Sequence, residues 1–103
     1  MNPDSQSFTL FGVSSLKEDR ALFINRLTNN QDIEVAGHDF GLRMDIDETG
    51  TDYVLYLLTP EIFFDDDTAE AVPIIRYHLL FREQDLEALY DKTRDYIFTE
   101  YVK

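Results

Sequence analysis

The sequence predicts a small α+β domain, in which a mainly antiparallel four-stranded sheet carries two helices packed on one of its faces. Hydrophobic periods of two and of about 3.6 residues alternate along the chain in the order β-α-β-β-β-α. The length of 103 residues is usual for one domain. Eight Phe and six Tyr supply the bulky apolar area that a single core needs. We therefore expect residues 1–103 to form one domain, with residues 1–6 as a flexible N-terminal arm.

The first two elements are a strand and a helix. Residues 7–13 alternate loosely and are rich in strand formers, which predicts a first strand. Ser15 and Glu18 then have the spacing of a capping box, whose side chains satisfy free amides at a helix start. The predicted helix covers residues 16–27. Its apolar stripe consists of Leu16, Phe23, Ile24 and Leu27.

A hairpin follows after a polar connector. Residues 40–47 alternate between apolar and polar side chains, and residues 53–59 are apolar on both faces, which predicts two paired strands, the second of them central. Gly50 lies in the turn between them, where a positive φ is readily adopted. Pro60 closes the second strand, because proline cannot donate to the ladder. A connector follows, with room for one helical turn that Asp67 would cap.

The last strand and the last helix complete the fold. Residues 73–82 alternate, and the face predicted to lie in the core consists of Ile75, Tyr77, Leu79 and Phe81. The opposite face holds the only basic stripe, which consists of Arg76, His78 and Arg82. Residues 83–101 predict a helix with a core stripe at Leu86, Leu89, Tyr90, Thr93 and Ile97.

The last helix carries more aromatic residues than one stripe can bury. Tyr96, Ile97 and Phe98 point in three directions, and Tyr101 follows one turn later. Either the core and the N-terminal arm cover this aromatic surface, or a second chain covers it. The second case predicts a homodimer through the last helix.

The net charge of −12 is concentrated in the middle of the chain. Residues 32–70 carry a net charge of −11, whereas the other 64 residues together carry −1. Such acidity argues against direct binding to nucleic acid or to anionic membranes, because both need clustered Lys and Arg. It favours a basic protein surface as the partner, unless the acids form only a solvated surface.

We expect the working surface on this acidic segment. Asp45 and Asp47 share a face of their strand roughly 6–7 Å apart, which resembles the spacing of adjacent phosphates in a nucleic-acid strand. An acidic row of this kind would fit a basic cleft, including that of an enzyme that handles nucleic acids. The candidate partner-binding residues are Asp45, Asp47, Glu48, Asp52, Glu61, Asp65, Asp66 and Asp67.

No pattern in the sequence indicates catalysis, a metal site or a cofactor. Residues 45–50 resemble the opening of an EF-hand calcium loop, but Tyr56 stands where that loop needs a bidentate Glu. The same residues resemble the nucleophile motif of haloacid-dehalogenase-type phosphatases, whose repeated βαβ units this chain lacks. We therefore predict that the protein is not an enzyme.

The compartment follows from what the chain lacks. It contains no Cys, which excludes disulfides and thiolate zinc sites. The first residues do not resemble a signal peptide, and no apolar run approaches the ~20 residues that span a bilayer. We expect a cytoplasmic protein that does not bind membranes.

These observations favour a small acidic interaction protein, an inhibitor of the immunity-protein or nucleic-acid-mimicking type, which blocks a basic surface of its partner. Two alternatives remain open. One is a dimeric acidic secretion-type chaperone that holds an unfolded client. The other is a small acidic protein that binds a metal or a small ligand at its acidic hairpin.

Overall fold

The structure, a computed structural model, describes residues 7–102. Residues 1–6, predicted to be a flexible N-terminal segment, lie outside this range. The elements are α1 (Leu16–Thr28), β1 (Asp32–Val35), β2 (His38–Asp47), β3 (Gly50–Phe64), β4 (Ala71–Glu83) and α2 (Leu86–Ile97), followed by a π-helical turn at Phe98–Val102. The four strands form one sheet in the order β1-β2-β3-β4, and every adjacent pair is antiparallel. This architecture confirms the predicted α+β fold.

One buried cluster joins both helices to the centre of the sheet. Phe23 of α1, Leu89 of α2 and Leu55 of β3 are each fully buried in it. Because these residues share one cluster, both helices cover the same face of the sheet, as predicted. The other members are Leu10, Leu27, Ile33, Val35, Phe40, Leu42, Tyr90 and Ile97.

Both helices begin at side-chain caps. The hydroxyl of Ser15 accepts a hydrogen bond from the amide of Glu18 at 3.2 Å, which confirms the predicted start of α1. The carboxylate of Asp85 accepts from the amide of Glu87 at 3.1 Å. Because Asp85 is the cap, α2 begins three residues later than predicted, and its last turn widens into the π-helical turn.

The segment before α1 is not a strand, so the predicted strand at residues 7–13 is wrong. Its alternation arises because Leu10 is buried in the core, with Phe8 and Phe11 packed against it. The amides of Leu10 and Phe11 donate to the carboxylate of Asp19, at 3.0 and 2.9 Å. A buried side chain satisfies these amides, so the segment needs no neighbouring strand.

The fourth strand is instead β1, which lies inside the predicted polar connector. Ile33 and Val35 are buried, and their neighbours in β1 are exposed. The turn to β2 consists of Ala36 and Gly37, whose φ angles are 53° and 79°. Two successive positive φ angles are typical of the tight hairpin turn whose twist matches that of its strands.

β4 contains a β-bulge at Leu80 that no sequence pattern predicts. Leu55 pairs with Phe81, and the next residue of β3, Tyr56, pairs with Leu79, which leaves Leu80 without a partner in β3. One additional residue reverses the side-chain alternation on either side of it. Phe81 therefore faces the helices, whereas Leu79 faces away from them.

The predicted faces of strand four are consequently wrong over most of its length. Three residues predicted in the core are between 53% and 56% exposed, namely Ile75, Tyr77 and Leu79. The predicted basic stripe is divided as well. Arg76 and His78 lie on the helix side of the sheet, whereas Arg82, beyond the bulge, lies on the other side.

The hairpin of β3 and β4 extends far beyond the rest of the sheet. β2 pairs with β3 only as far as Asp39 and Leu58, and the hairpin then continues as a two-stranded ribbon; we call its residues 59–76 the arm. Pro60 lies inside β3 and does not close it, because no further described strand flanks β3 there. The arm gives the molecule a longest extent of 53 Å and a radius of gyration of 16.0 Å, whereas about 13 Å is usual for this length.

The aromatic residues of the C-terminal end pack against other aromatic residues of the chain. Phe98 packs against Phe8, with ring centroids 5.5 Å apart. Tyr96 meets Phe81 edge-on at 5.7 Å, and Tyr101 stacks on His38 at 4.0 Å. Contacts within the chain thus half-bury Tyr96, Phe98 and Tyr101, and a homodimer through the last helix stays a prediction.

Candidate functional site

Both helices lie on one face of the sheet, and within residues 7–102 no helix covers the other face, which we call the open face. Residues paired across antiparallel strands share a face, and neighbours along a strand alternate. Because Leu42 and Leu55 face the helices, the pairing registers identify the residues of the open face.

One region of the open face is acidic. It carries six carboxylates and two guanidinium groups, a net charge of −4. We define this acidic region as Asp32, Glu34, Asp39, Arg43, Asp45, Asp47, Asp52 and Arg82. Asp32, Glu34 and Asp39 are not among the predicted site residues; the alternation of Asp32 and Glu34 with buried Ile33 and Val35 is the signal in the sequence that points to this strand.

Arg82 bridges two of the predicted site residues. Asp45 and Asp52 are cross-strand partners, and like charges placed directly opposite each other destabilise a sheet. The Nη1 atom of Arg82 lies 3.2 Å from Oδ2 of Asp45 and 2.8 Å from Oδ2 of Asp52. The guanidinium therefore offsets the repulsion between the two carboxylates and neutralises part of their charge.

Asp47 is held as a carboxylate in the turn between β2 and β3. Its Oδ1 accepts hydrogen bonds from the hydroxyl and the amide of Thr49, at 2.6 and 2.8 Å. These hydrogen bonds stabilise the charged form and lower the pKa of Asp47 below its usual value. Glu48, the next residue, is exposed, so the turn presents two negative charges to solvent.

Arg43 joins the acidic region to the apolar part of the open face. Its Nη2 lies 2.8 Å from Oδ1 of Asp32. The carbon of the same guanidinium lies 5.7 Å from the ring centroid of Tyr77, a distance at which a cation is attracted to an aromatic face. Tyr77 in turn meets Tyr56 edge-on at 5.7 Å.

A hollow of about 340 Å³ lies where the acidic and the apolar parts of the open face meet. Two carboxylates and four apolar or aromatic residues line it, namely Asp32, Asp39, Leu58, Pro60, Ile75 and Tyr77. Such a lining suits a side chain with an apolar stem and a cationic head, because Lys and Arg bury the stem and keep the head among polar groups.

The remaining predicted site residues lie on the arm. Oε2 of Glu61 accepts a hydrogen bond of 2.6 Å from Nε of Arg76 on the helix side. At the tip, Oδ1 of Asp65 accepts from the amide of Asp67 at 2.9 Å. Asp65, and not Asp67 as predicted, therefore caps this turn, and the side chain of Asp67 stays exposed with that of Asp66.

The structure separates the predicted site residues into two groups at opposite ends of β3. Four lie at or beside the turn between β2 and β3, three lie at the tip of the arm, and Glu61 lies between these ends. β3 has fifteen residues, which at about 3.3 Å per residue places its ends about 46 Å apart. A standard interface of about 800 Å² per partner is roughly 30 Å across, so one such partner contacts one group only.

Both histidines and Ser15 have structural partners. The rings of His38 and Tyr101 are stacked, and Nε2 of His78 lies 2.9 Å from the hydroxyl of Thr59. Ser15 caps α1. Across residues 7–102, no group of three His, Asp or Glu side chains is placed to hold a metal ion.

Comparisons with protein-family models, with curated proteins and with solved structures found no match to this chain. Neither α1 nor α2, the helices in the described part of the chain, is long and apolar enough to cross a membrane. We therefore infer function from the geometry of the open face.

Proposed function

We propose that this protein is a small acidic interaction protein that covers a basic surface of a partner protein with its open face and so blocks that surface. The observation that carries this proposal is the acidic region. It has six carboxylates and only two guanidinium groups on the side of the sheet that no described helix covers. Complementary charge raises the association rate, and the sheet supplies the steric cover.

The contact that we propose is compact. Asp45 and Asp47 repeat a negative charge along β2, but Gly41 and Arg43 interrupt the row before Asp39. The open face therefore offers no long row of charges like a nucleic-acid backbone. It fits a basic patch with one Lys or Arg inserted into the hollow beside Tyr77, and a nucleic-acid-handling enzyme is one protein class with such patches.

The structure offers less support for the two alternatives. A chaperone that dimerises through the last helix needs uncovered aromatic residues there, and Tyr96, Phe98 and Tyr101 pack within the chain. A metal-binding protein needs clustered ligands, and residues 7–102 bring no three together. We propose a non-enzymatic protein with a cytoplasmic location, which is in keeping with a chain without cysteine.

The proposal is tested by reversing charges on the open face and in the adjoining turn between β2 and β3. We choose Glu34, Asp39 and Glu48, because all three are exposed and none forms an ion pair with a described residue. The triple Lys variant is compared with wild type in affinity capture from the native cell at low and at high salt. The association rate with each captured protein is then measured. We expect the variant to associate about tenfold or more slowly at low salt, where steering is strongest.

A matched control carries the same change of charge on the other side of the molecule. Asp91, Asp95 and Glu100 are exposed on α2 and the turn that follows it, and their triple Lys variant should associate at nearly the wild-type rate. Reversal of Asp65, Asp66 and Asp67 at the arm tip should also have little effect. A partner that is insensitive to salt and to the open-face reversals, or that only the helix variant loses, would contradict the proposal.

A further inference from the structure

β4 is an uncovered edge of the sheet. It pairs with β3 on one side, and no strand of residues 7–102 pairs with its other side. Its first nine residues, 71–79, are all exposed. The opposite edge strand, β1, has only four residues, half of them buried. A long edge strand presents a row of unpaired backbone groups to any further strand.

The arm exposes apolar side chains on both of its faces. Large apolar residues between 37% and 66% exposed lie along it and just beyond it, namely Ile62, Phe63, Phe64, Val72, Ile74, Ile75, Tyr77 and Leu79. A two-stranded ribbon is only marginally stable in water without further strands or a packed face. An apolar surface of this extent on a ribbon marks a protein interface.

The charges along β4 favour a second copy of the chain over a basic partner at this edge. Arg76 neutralises Glu61, and Arg82 neutralises part of the charge of Asp45 and Asp52. Glu83, the only acid of β4, forms an ion pair with Lys92. Although the chain has a net charge of −12, the charges along β4 are largely paired. A second copy is therefore repelled only weakly at this edge, and a basic protein is attracted only weakly.

We infer that two copies of this chain pair through β4, antiparallel, into one continuous eight-stranded sheet. Pro73 cannot donate to a ladder and Leu80 is the bulge, so the pairing segment is residues 74–79. A twofold axis perpendicular to the sheet places the helices of both copies on the same side. An axis at Arg76 would set two guanidinium groups opposite each other, which destabilises a sheet. The axis therefore lies at Tyr77, so that residues 75–79 of the two copies pair and Ile75 lies opposite Leu79 of the second copy.

The dimer should respond to salt in the opposite sense to the proposed partner. Each copy carries a net charge of −12, so two copies repel each other as whole molecules, even though the charges of β4 itself are largely paired. Salt screens this repulsion. Dimerisation should strengthen as salt rises, whereas binding to a basic surface should weaken.

The first test is cross-linking of single-cysteine variants, which the cysteine-free chain makes unambiguous. Directly opposite residues in an antiparallel pair have Cα atoms about 4.5–5.5 Å apart, within the range that a disulfide spans. Under mild oxidation, Tyr77→Cys should form a covalent dimer about tenfold or more faster than Ile46→Cys, since Ile46 is more exposed than Tyr77 but lies away from β4. Equal rates for the two variants would overturn the inference.

The second test is the molecular mass by sedimentation or light scattering, from micromolar to millimolar protein and at low and high salt. The wild-type chain should dimerise with concentration, and more tightly at high salt. Leu79→Glu should weaken the dimer about tenfold or more, because it sets a charge against apolar Ile75 of the second copy. Ile46→Glu, the matched control, should not weaken it. Leu79→Glu should still bind a basic partner, which separates the two proposals. A wild-type chain that is monomeric under all these conditions would overturn the inference.

Discussion

The phenol of Tyr90 donates a hydrogen bond of 2.7 Å to the carboxylate of Asp19. Asp19 is fully buried, and it also accepts the amides of Leu10 and Phe11. One carboxylate thus joins α1, α2 and the segment before α1. A buried charge is costly without such partners, and these three donors satisfy the carboxylate.

Replacing Asp19 should therefore destabilise the protein strongly. Asp19→Ala leaves two amides and a phenol without their acceptor, and we expect the free energy of unfolding to fall by roughly 3 kcal/mol. Tyr90→Phe keeps the ring against Phe23 and removes one donor, so it should cost about 1–2 kcal/mol. Urea unfolding measures both changes. Tyr53→Phe, the control at a half-buried tyrosine, should change stability by less than about 0.5 kcal/mol; a comparably small loss for Asp19→Ala would refute this account.

Stability should fall in alkaline solution because of two tyrosines. Burial, and then the hydrogen bond to Asp19, raises the pKa of Tyr90. The hydrogen bond with Tyr101, and then burial, raises the pKa of Tyr96 to about 12. The unfolded chain loses these protons near pH 10, so above about pH 10 the folded protein binds more protons and its stability declines as pH rises.

The contribution of these tyrosines should be fully present below about pH 10 and lost as pH rises through the folded-state values. Urea midpoints at neutral and at strongly alkaline pH measure the decline. Tyr90→Phe should decline less than wild type, because Phe releases no proton. An equally steep decline in Tyr90→Phe would mean that other groups cause the alkaline loss.

Replacing Ala36, in the turn between β1 and β2, should stabilise the protein. Ala36 has a φ of 53°, in the left-handed region that costs an alanine energy. Ala36→Asn creates the Asn-Gly pair preferred in such turns, and we expect a gain of about 0.5–1 kcal/mol in thermal or urea unfolding. Ala88→Gly in α2 should instead lose about 1 kcal/mol. A loss for Ala36→Asn would argue against this turn geometry.

The bulge predicts opposite outcomes for two leucines in adjacent strands. Leu55 is fully buried, whereas Leu79 is 56% exposed. Leu55→Ala should cost about 2–5 kcal/mol, and Leu79→Ala should cost less than about 0.5 kcal/mol. Both are measured at protein concentrations where the chain is monomeric. A large loss of stability for Leu79→Ala would indicate that Leu79 is buried, and so that β4 alternates without a bulge.

The sequence predicts those parts of the fold that have a strong period. The stripe of α1, with Phe23 and Leu27, and the alternation around Leu42 in β2 each repeat often enough to identify their elements. The bulge at Leu80 leaves no local mark, because adding one residue to a strand changes which face is buried without changing composition. Strand β1 has too few residues for its period to stand out. Asp19 reads as an ordinary residue of a first helical turn, and only tertiary packing buries it.

For the candidate site, the sequence predicts the amount of charge but not its distribution. Residues 32–70 hold the excess of acids, as counted. Continuation of β3 through Pro60 then carries Asp65 and its neighbours to the far end of the molecule. The pairing of Arg82 with Asp45 and Asp52 depends on strand register beyond the bulge, which no local pattern reveals. Positions that are near in sequence become distant in space wherever the chain is fully extended.

The strand order β1-β2-β3-β4 has a consequence for how the chain folds. Each strand pairs with its neighbour in sequence, so the sheet forms without closing any long loop, and such low contact order favours rapid folding. The contact between the two ends of the described chain is an exception, because the rings of Phe8 and Phe98 pack together although ninety positions separate them in sequence. Closure of this loop is the costly entropic step, so the meander should form early and the two ends should dock on it late.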